Sequence, residues 1–538
     1  MDAAMTSGTL AEPVQGVDPN RIELKAPPPI NLPLRILILC AGALLLAWLP
    51  RLRWGFWTDE AGTFWMACKG WRAAMSRTAT WPGQSIPYSV LESFFVAAGF
   101  WKEPLLRIPS VLASAVAAWH LKRLAELTIN RGAGWLAVIP LICAPDMVNF
   151  GTSARPYALA LAASIASFRY LLEWRESPDR KTAAKYLIAS LLTLHFHYLF
   201  GFIFVIQAVF LAGCRLFDKG VFAKGVFYRR MFGRGKLGRQ ISGRAIGMGL
   251  PLAAVILLPA SLLPLVGVLR SSAHHADGFA RAVPPAFTQL LQICFPPALL
   301  LTTGLGLLLL WISARNLRWQ PAPMQPGSAL LLATWLTLAP LTFFLAARLT
   351  GQSIFAARYL LFTLPAFVLF VVWIISGFER QEWRFLILLA IFAGTVLHPG
   401  SLLQTFRDSA SSWREPLRWI AANSAGDAPP VFVTSGVVDS SWLDWKTQDA
   451  NTSGLYAPVT AYPIPNRAIG LPFRFGEPVQ EFIRQTDFSA YKAGQRFFLL
   501  ATADSPLAGW MSIHLKTLGF HAQIQPFNDY VVIQYSRE

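Results

Sequence analysis

The sequence predicts an α-helical polytopic membrane protein with about eleven transmembrane helices and a small C-terminal α/β domain outside the bilayer. Three observations predict it. The 538 residues are 54% hydrophobic and only 14% charged, too apolar for an ordinary soluble chain. Windows of roughly 18–22 residues are almost free of charge, long enough to cross a hydrocarbon core of about 30 Å. Beyond about residue 399 the pattern changes to short apolar runs separated by polar stretches. A net charge of +18 would also suit a nucleic-acid binder. The basic residues, however, concentrate in connections between apolar segments, where cytoplasmic loops meet anionic headgroups. The five cysteines are scattered, with neither disulfide nor metal spacing.

Residues 1–31 read as a disordered cytoplasmic tail, residues 32–398 as the membrane domain and residues 399–538 as a periplasmic α/β domain. The first span is about 33–50, followed by a first outer loop over 51–103 that carries Asp59 and Glu60. Within that loop the run 87–100 is short and holds Glu92, which fits a helix lying in the interface. Further spans read as 104–121, 132–149, 155–172, 183–199, 201–214, 245–268, 286–313, 328–347, 357–377 and 384–398. The connection 215–244 tests the count: nine arginines and lysines from Arg215 to Arg244 face one acid, Asp218, and the count places it in the cytoplasm. An odd number of crossings then leaves the C-terminus on the outer side of a bacterial inner membrane. In that tail, Trp413, Leu417 and Ile420 mark one face of a helix. Runs at 431–434, 496–501 and 530–535 read as strands, with a helix over 510–518 closed by Gly519.

Several polar residues converge on the outer side in this topology. Asp59 and Glu60 sit among Trp54 and Trp57, and acids at a membrane boundary are costly unless solvated, paired or used. The plainer reading makes Thr58 or Asp59 a helix cap. Arg155-Pro156-Tyr157 and Arg358-Tyr359 each open a span; either arginine is a snorkelling anchor or a clamp for an anion. His195 and His197 lie two apart and so do not share a helix face, which favours a hydrogen-bonded histidine on a cavity wall over a metal pair. His274, His275 and Asp277 default to a solvated loop. The chain has no Walker loop, no dinucleotide glycine fingerprint and no GxSxG elbow.

Taken in order, these stretches resemble the C-type-fold (GT-C) membrane glycosyltransferases, the group of protein O-mannosyltransferases and the lipid A aminoarabinose transferase. The matching stretches are Trp57-Thr58-Asp59-Glu60, Gln84 to Tyr88, Leu106-Arg107 with Pro109-Ser110, Ser153 to Leu159, His197-Tyr198, Arg358-Tyr359 with Pro365, and Ser412-Trp413-Arg414. The likeness covers about residues 33–425. Two positions depart from the family pattern: Ser153 replaces a carboxylate, and Gln84 or Ser85 stands where some members place a metal-binding Glu or His.

The resemblance implies transfer of a sugar from a polyprenyl-phosphate donor to a lipid, glycan or protein acceptor, with inversion. It implies Asp59 as the base, with Glu60 orienting it or the acceptor, and Arg155 and Arg358 binding the donor phosphate. Trp57, Gln84, Tyr88, Tyr157, His197 and Tyr359 would shape the substrate pocket, with 87–100 lining the lipid entrance. A divalent metal is left open by the two departures. Partners would be the donor, the acceptor and membrane lipids, with no nucleic acid. The rival readings are a flippase of lipid-linked substrates, whose inverted repeat is not visible, and a catalytically altered scaffold relative.

Overall fold

The computed structural model describes residues 32–79, 84–99, 101–218, 284–313, 318–325, 327–351, 354–397, 412–424, 426, 428–435, 448, 453–472, 475–488 and 491–537. The expected tail at 1–31, the span 245–268 and the loop with His274, His275 and Asp277 lie outside these residues.

Five helices among the described residues are long and apolar enough to cross a membrane: Leu32–Leu52, Lys102–Thr128, Tyr198–Leu216, Ser328–Thr350 and Ala357–Ser376. Two bent pairs raise the number to 7: Arg131–Ile142 with Pro145–Gly151, at 71°, and Phe287–Cys294 with Pro297–Ile312, at 58°. The bends have a sequence cause. Pro145 and Pro297 each open the second half, where a missing N–H is harmless, but neither could continue the first half. The expected spans at 155–172, 183–199 and 384–398 form the helices Tyr157–Glu176, Arg180–Phe196 and Gln381–Leu397, which are shorter or less apolar than a full crossing.

The expected interfacial segment 87–100 is a helix over Ile86–Val96, 11 residues long. At 1.5 Å per residue it spans only about 16 Å, half a bilayer core. Ser85 starts it by accepting the Tyr88 backbone N–H at 3.3 Å, with Pro87 in the first turn.

The C-terminal residues form a five-stranded mixed sheet in the order β2-β1-β3-β5-β4. Its strands are β1 (Val431–Thr434), β2 (Ala468–Leu471), β3 (Arg496–Thr502), β4 (Phe520–Phe527) and β5 (Tyr530–Arg537). β1 runs parallel to β2 and β3; β5 runs antiparallel to β3 and β4. One face carries the sheet's own core, built on Phe497, Leu499, Met511 and Tyr535. The other face packs onto the first loop: Val431, Val433, Phe498 and Val532 share a core with Phe56, Ala61, Trp65 and Trp413. The helix Arg414–Ala422 lies between them, burying Leu417 and Ile420.

Candidate active site

Asp59 stands in the first turn of the helix Thr58–Ala67. Neither Thr58 nor Asp59 caps this helix, contrary to the plainer expectation. The cap position is Trp57, whose backbone N–H is accepted by the Glu60 carboxylate at 3.4 Å. Asp59 is therefore left free to point outwards.

Its carboxylate lies between two guanidiniums. Arg358 Nη1 is 3.4 Å from Asp59 Oδ2, and Arg155 Nη2 is 4.0 Å from the same oxygen. Three segments far apart in sequence thus meet at one atom. Arg155 also donates from Nη1 to the Asp59 carbonyl (3.3 Å), Thr63 Oγ1 (3.4 Å) and Gln84 Oε1 (3.2 Å). The Nε–H groups of both arginines are buried with no hydrogen-bond partner among the described residues. Asp59 and Arg358 keep 30% and 34% side-chain exposure, so the cluster opens to solvent. One carboxylate against two guanidiniums leaves a positive charge and unused donors, an arrangement suited to an anion.

Glu60 has a different place from the one the resemblance implies. It turns away from Asp59 into a buried ion pair with Arg107, with Nε to Oε1 at 2.9 Å and Nη2 to Oε2 at 2.5 Å. Arg107 Nη1 also donates to the carbonyls of Arg51, Leu52 and Trp54 at 2.9, 3.1 and 2.7 Å. Glu60 Oε1 accepts the Ala154 N–H at 2.7 Å, and Ser110 donates to the Arg155 carbonyl at 3.0 Å. These bonds fix the backbone on both sides of Arg155 and so aim its guanidinium. Glu60 and Arg107 position the site without facing it. Arg107 was visible in the Leu-Arg-x-Pro-Ser stretch, but nothing in that stretch paired it with Glu60.

The aromatic residues form a cage. Arg155 lies over the Tyr157 ring at 5.8 Å and Arg358 over Tyr359 at 4.9 Å. His197 sits between them, 5.3 Å from Tyr157 and 5.8 Å from Tyr359, with Tyr198 at 5.6 Å and Phe200 at 4.9 Å. Its Nδ1 is buried without a partner among the described residues, so the expected hydrogen-bonded histidine is instead packed among rings. Gln84 is half-buried against Arg155, and Trp57 is half-buried beside the helix start. Ser153 is buried, its hydroxyl donating to the Phe150 carbonyl at 3.3 Å.

Tyr88 is buried one helical turn from Glu92. Neither the Tyr88 hydroxyl nor either Glu92 carboxylate oxygen has a hydrogen-bond partner among the described residues. Burial first, and then the negative charge of Glu60, push the Glu92 carboxyl well above the usual carboxylate range. In sequence Glu92 marks only a charge inside a short apolar run, with nothing local to place it beside Glu60.

The C-terminal residues close over the first loop through named contacts. Tyr462 Oη accepts the Phe56 N–H at 2.7 Å, and Tyr530 Oη lies 3.3 Å from Thr58 Oγ1. Arg414 pairs with Glu103 at 3.0 Å and donates to the Arg53 carbonyl at 2.8 Å. Beside Arg358, Ala356 and Ala357 line a cavity of about 760 Å³ whose walls include Pro145, Asp146, Gln289, Ile293 and Leu364. The helix Ile86–Val96 contributes nothing to those walls. Among the described residues no group of three His, Cys, Asp or Glu side chains could hold a metal ion.

No protein-family model matches the chain, and no curated protein matches it in sequence. Solved structures do match. ArnT from Cupriavidus metallidurans bound to undecaprenyl phosphate superposes with a TM-score of 0.53 at 11% identity, covering 93% of this chain and 97% of that one. The apo state of the same protein gives 0.54 at 12% identity, with the same coverage. At these identities the likeness establishes the fold alone: the chain has the polytopic GT-C fold.

Proposed function

We propose that this chain is an inverting glycosyltransferase that moves a sugar from a polyprenyl-phosphate donor to a lipid, glycan or protein acceptor at the outer face of a bacterial inner membrane. The observation that carries the reading is Asp59, a part-exposed carboxylate held by Arg155 and Arg358, whose Nε–H groups are unused. Asp59 takes the proton of the acceptor hydroxyl. The acceptor oxygen bonds the anomeric carbon as the carbon–oxygen bond to phosphate breaks on the opposite face, and that electron pair leaves on the phosphate. Arg155 and Arg358 balance the departing charge. At about 4 Å and an effective dielectric near 20, each cation contributes roughly 4 kcal/mol of attraction before desolvation.

The aromatic cage of Tyr157, His197 and Tyr359 gives the sugar a ring-lined wall, with Gln84, Tyr88 and Trp57 at its margins. The mostly apolar cavity lined by Phe355, Ala356 and Ala357 takes the first isoprene units of the donor, because these residues directly precede Arg358, whose guanidinium would hold the phosphate. In this reading the chain crosses the membrane about eleven times, with residues 1–31 cytoplasmic, the membrane domain over 32–398 and the domain over 399–538 periplasmic. ArnT has been crystallised with undecaprenyl phosphate, a lipid of the class proposed for the donor.

Purified full-length protein incubated with radiolabelled polyprenyl-phosphate sugars and a membrane lipid extract tests this, with and without EDTA. Asp59→Asn should lower transfer by about 10²- to 10⁴-fold, the usual contribution of a general base, while leaving the melting temperature unchanged. Equal turnover by wild type and variant would reject the role.

A further inference from the structure

A second groove, which Asp59 does not line, lies between the helices Lys102–Thr128, Tyr157–Glu176 and Arg180–Phe196. It has a volume of about 370 Å³, with Ala113, Ala162, Ala166 and Ala189 on its floor. The alanines leave a channel where larger side chains would close the helix contact. Exposed Val116, Ile188 and Leu192 rim it, so its mouth faces whatever surrounds the bundle. From Leu159 to Tyr170 it runs about 16 Å at 1.5 Å per residue, half the thickness of a hydrocarbon core.

The end near Phe196 is apolar, whereas the end away from Asp59 is cationic. His120, Tyr170 and Lys185 line that end. Lys185 Nζ lies 5.5 Å from the Tyr170 ring centroid, and Arg169 lies over the same ring at 5.0 Å. Arg169 Nη1 is 3.3 Å from His120 Nδ1, and its Nε donates to Glu173 at 2.7 Å. Glu173 therefore neutralises Arg169, and Asp179 caps its own helix by accepting the Thr182 N–H. Lys185 is exposed, with no carboxylate at ion-pair distance among the described residues.

We infer that this groove binds an anionic glycerophospholipid of the leaflet opposite Asp59, one acyl chain along the alanine floor and the phosphate at Lys185 and His120. Length, polarity and charge agree on that occupant. A chain entering from the membrane surface reaches the bilayer centre in the length of the groove. The cation stands at the depth of the headgroup, where one lysine contributes about 1 kcal/mol towards an anionic lipid. The apolar walls reject a free soluble anion.

Native mass spectrometry of the purified full-length protein in detergent tests the inference. The lipids are phosphatidylglycerol and phosphatidylcholine with identical chains, and undecaprenyl phosphate is added as a competitor. Phosphatidylglycerol should be retained preferentially. Lys185→Gln should lower its retention about five-fold and leave phosphatidylcholine unchanged. Ala166→Leu, which fills the floor, should lower retention of both lipids. Equal retention of the two lipids, or retention indifferent to both substitutions, would overturn the site. Displacement of phosphatidylglycerol by undecaprenyl phosphate, sensitive to Lys185→Gln, would overturn the glycerophospholipid assignment. Neither variant touches Asp59, Arg155 or Arg358, so the result is independent of whether the protein transfers sugar.

Discussion

Asp59 and Glu60 are neighbours in sequence with opposite surroundings. Asp59 faces solvent between two cations, while Glu60 is 1% exposed and spends every bond on structure. The difference follows from helix geometry, which turns successive side chains by about 100°. Two substitutions should therefore separate in kind. Glu60→Gln leaves Arg107 buried beside a neutral amide, and breaking a buried ion pair costs about 3–5 kcal/mol. Its signature should be a lowered melting temperature and poor expression, measured by fluorescence-detected thermal unfolding, rather than a stable inactive protein. Glu92 should behave in the opposite way. Its folded pKa is raised, so the folded state resists losing the proton that the unfolded chain releases near pH 4.3. Stability from this group is complete below that pH and falls as pH rises towards the folded value. Glu92→Gln, isosteric and always neutral, should be at least as stable as wild type at pH 7. The gap between them should widen from pH 5 to pH 8 in the same melting assay, and a gap that narrows would show Glu92 ionised in the fold.

Elements with long, one-sided or continuous apolar patterns were legible in sequence; those specified by their partners were not. The helix beginning at Arg414 was readable because Trp413, Leu417 and Ile420 recur on one face. β1, β3 and β5 were readable as buried apolar runs. β2 was missed because Ala468 and Gly470 alternate with Ile469 and Leu471, which breaks the apolar run that marks β1 over the same length. β4 was missed because it is a polar edge strand, with His521, Gln523, Gln525 and Pro526 exposed or half-exposed. The two arginines of the candidate site were readable as residues at span entrances. Their meeting at Asp59 was not, because it depends on long-range packing that local patterns do not encode. The same packing joins the C-terminal sheet to the loop that carries Asp59. Trp413 is fully buried, its ring 4.1 Å from that of Tyr530, whose hydroxyl reaches Thr58 beside Asp59. Trp413→Ala should cost about 3–5 kcal/mol, as other buried tryptophans do. It should also expose the loop 53–57 to limited proteolysis while the membrane helices stay intact.

For the molecule as a whole, the shared core between sheet and first loop restricts topology more tightly than charge counting does. Phe56, Ala61 and Trp65 pack with Val431, Phe498 and Val532, so Asp59 and the sheet must lie on the same side of the membrane. The positive-inside tendency places Arg175, Arg180 and Lys181 on the other side. Two reporter positions decide the matter in a variant whose five native cysteines are replaced by alanine. Ile513, 72% exposed on the helix Pro506–Thr517, reports on the sheet; exposed Lys181 reports on the opposite end of the bundle. Ile513→Cys should react with a membrane-impermeant maleimide added to spheroplasts, and Lys181→Cys only after permeabilisation. The reverse pattern would carry the sheet and Asp59 together into the cytoplasm. A base there would meet donors presented on the inner leaflet, and the proposed transfer at the outer face would fail at its first step. Labelling of both positions from outside would break the odd number of crossings between them, and with it the reading of about eleven spans.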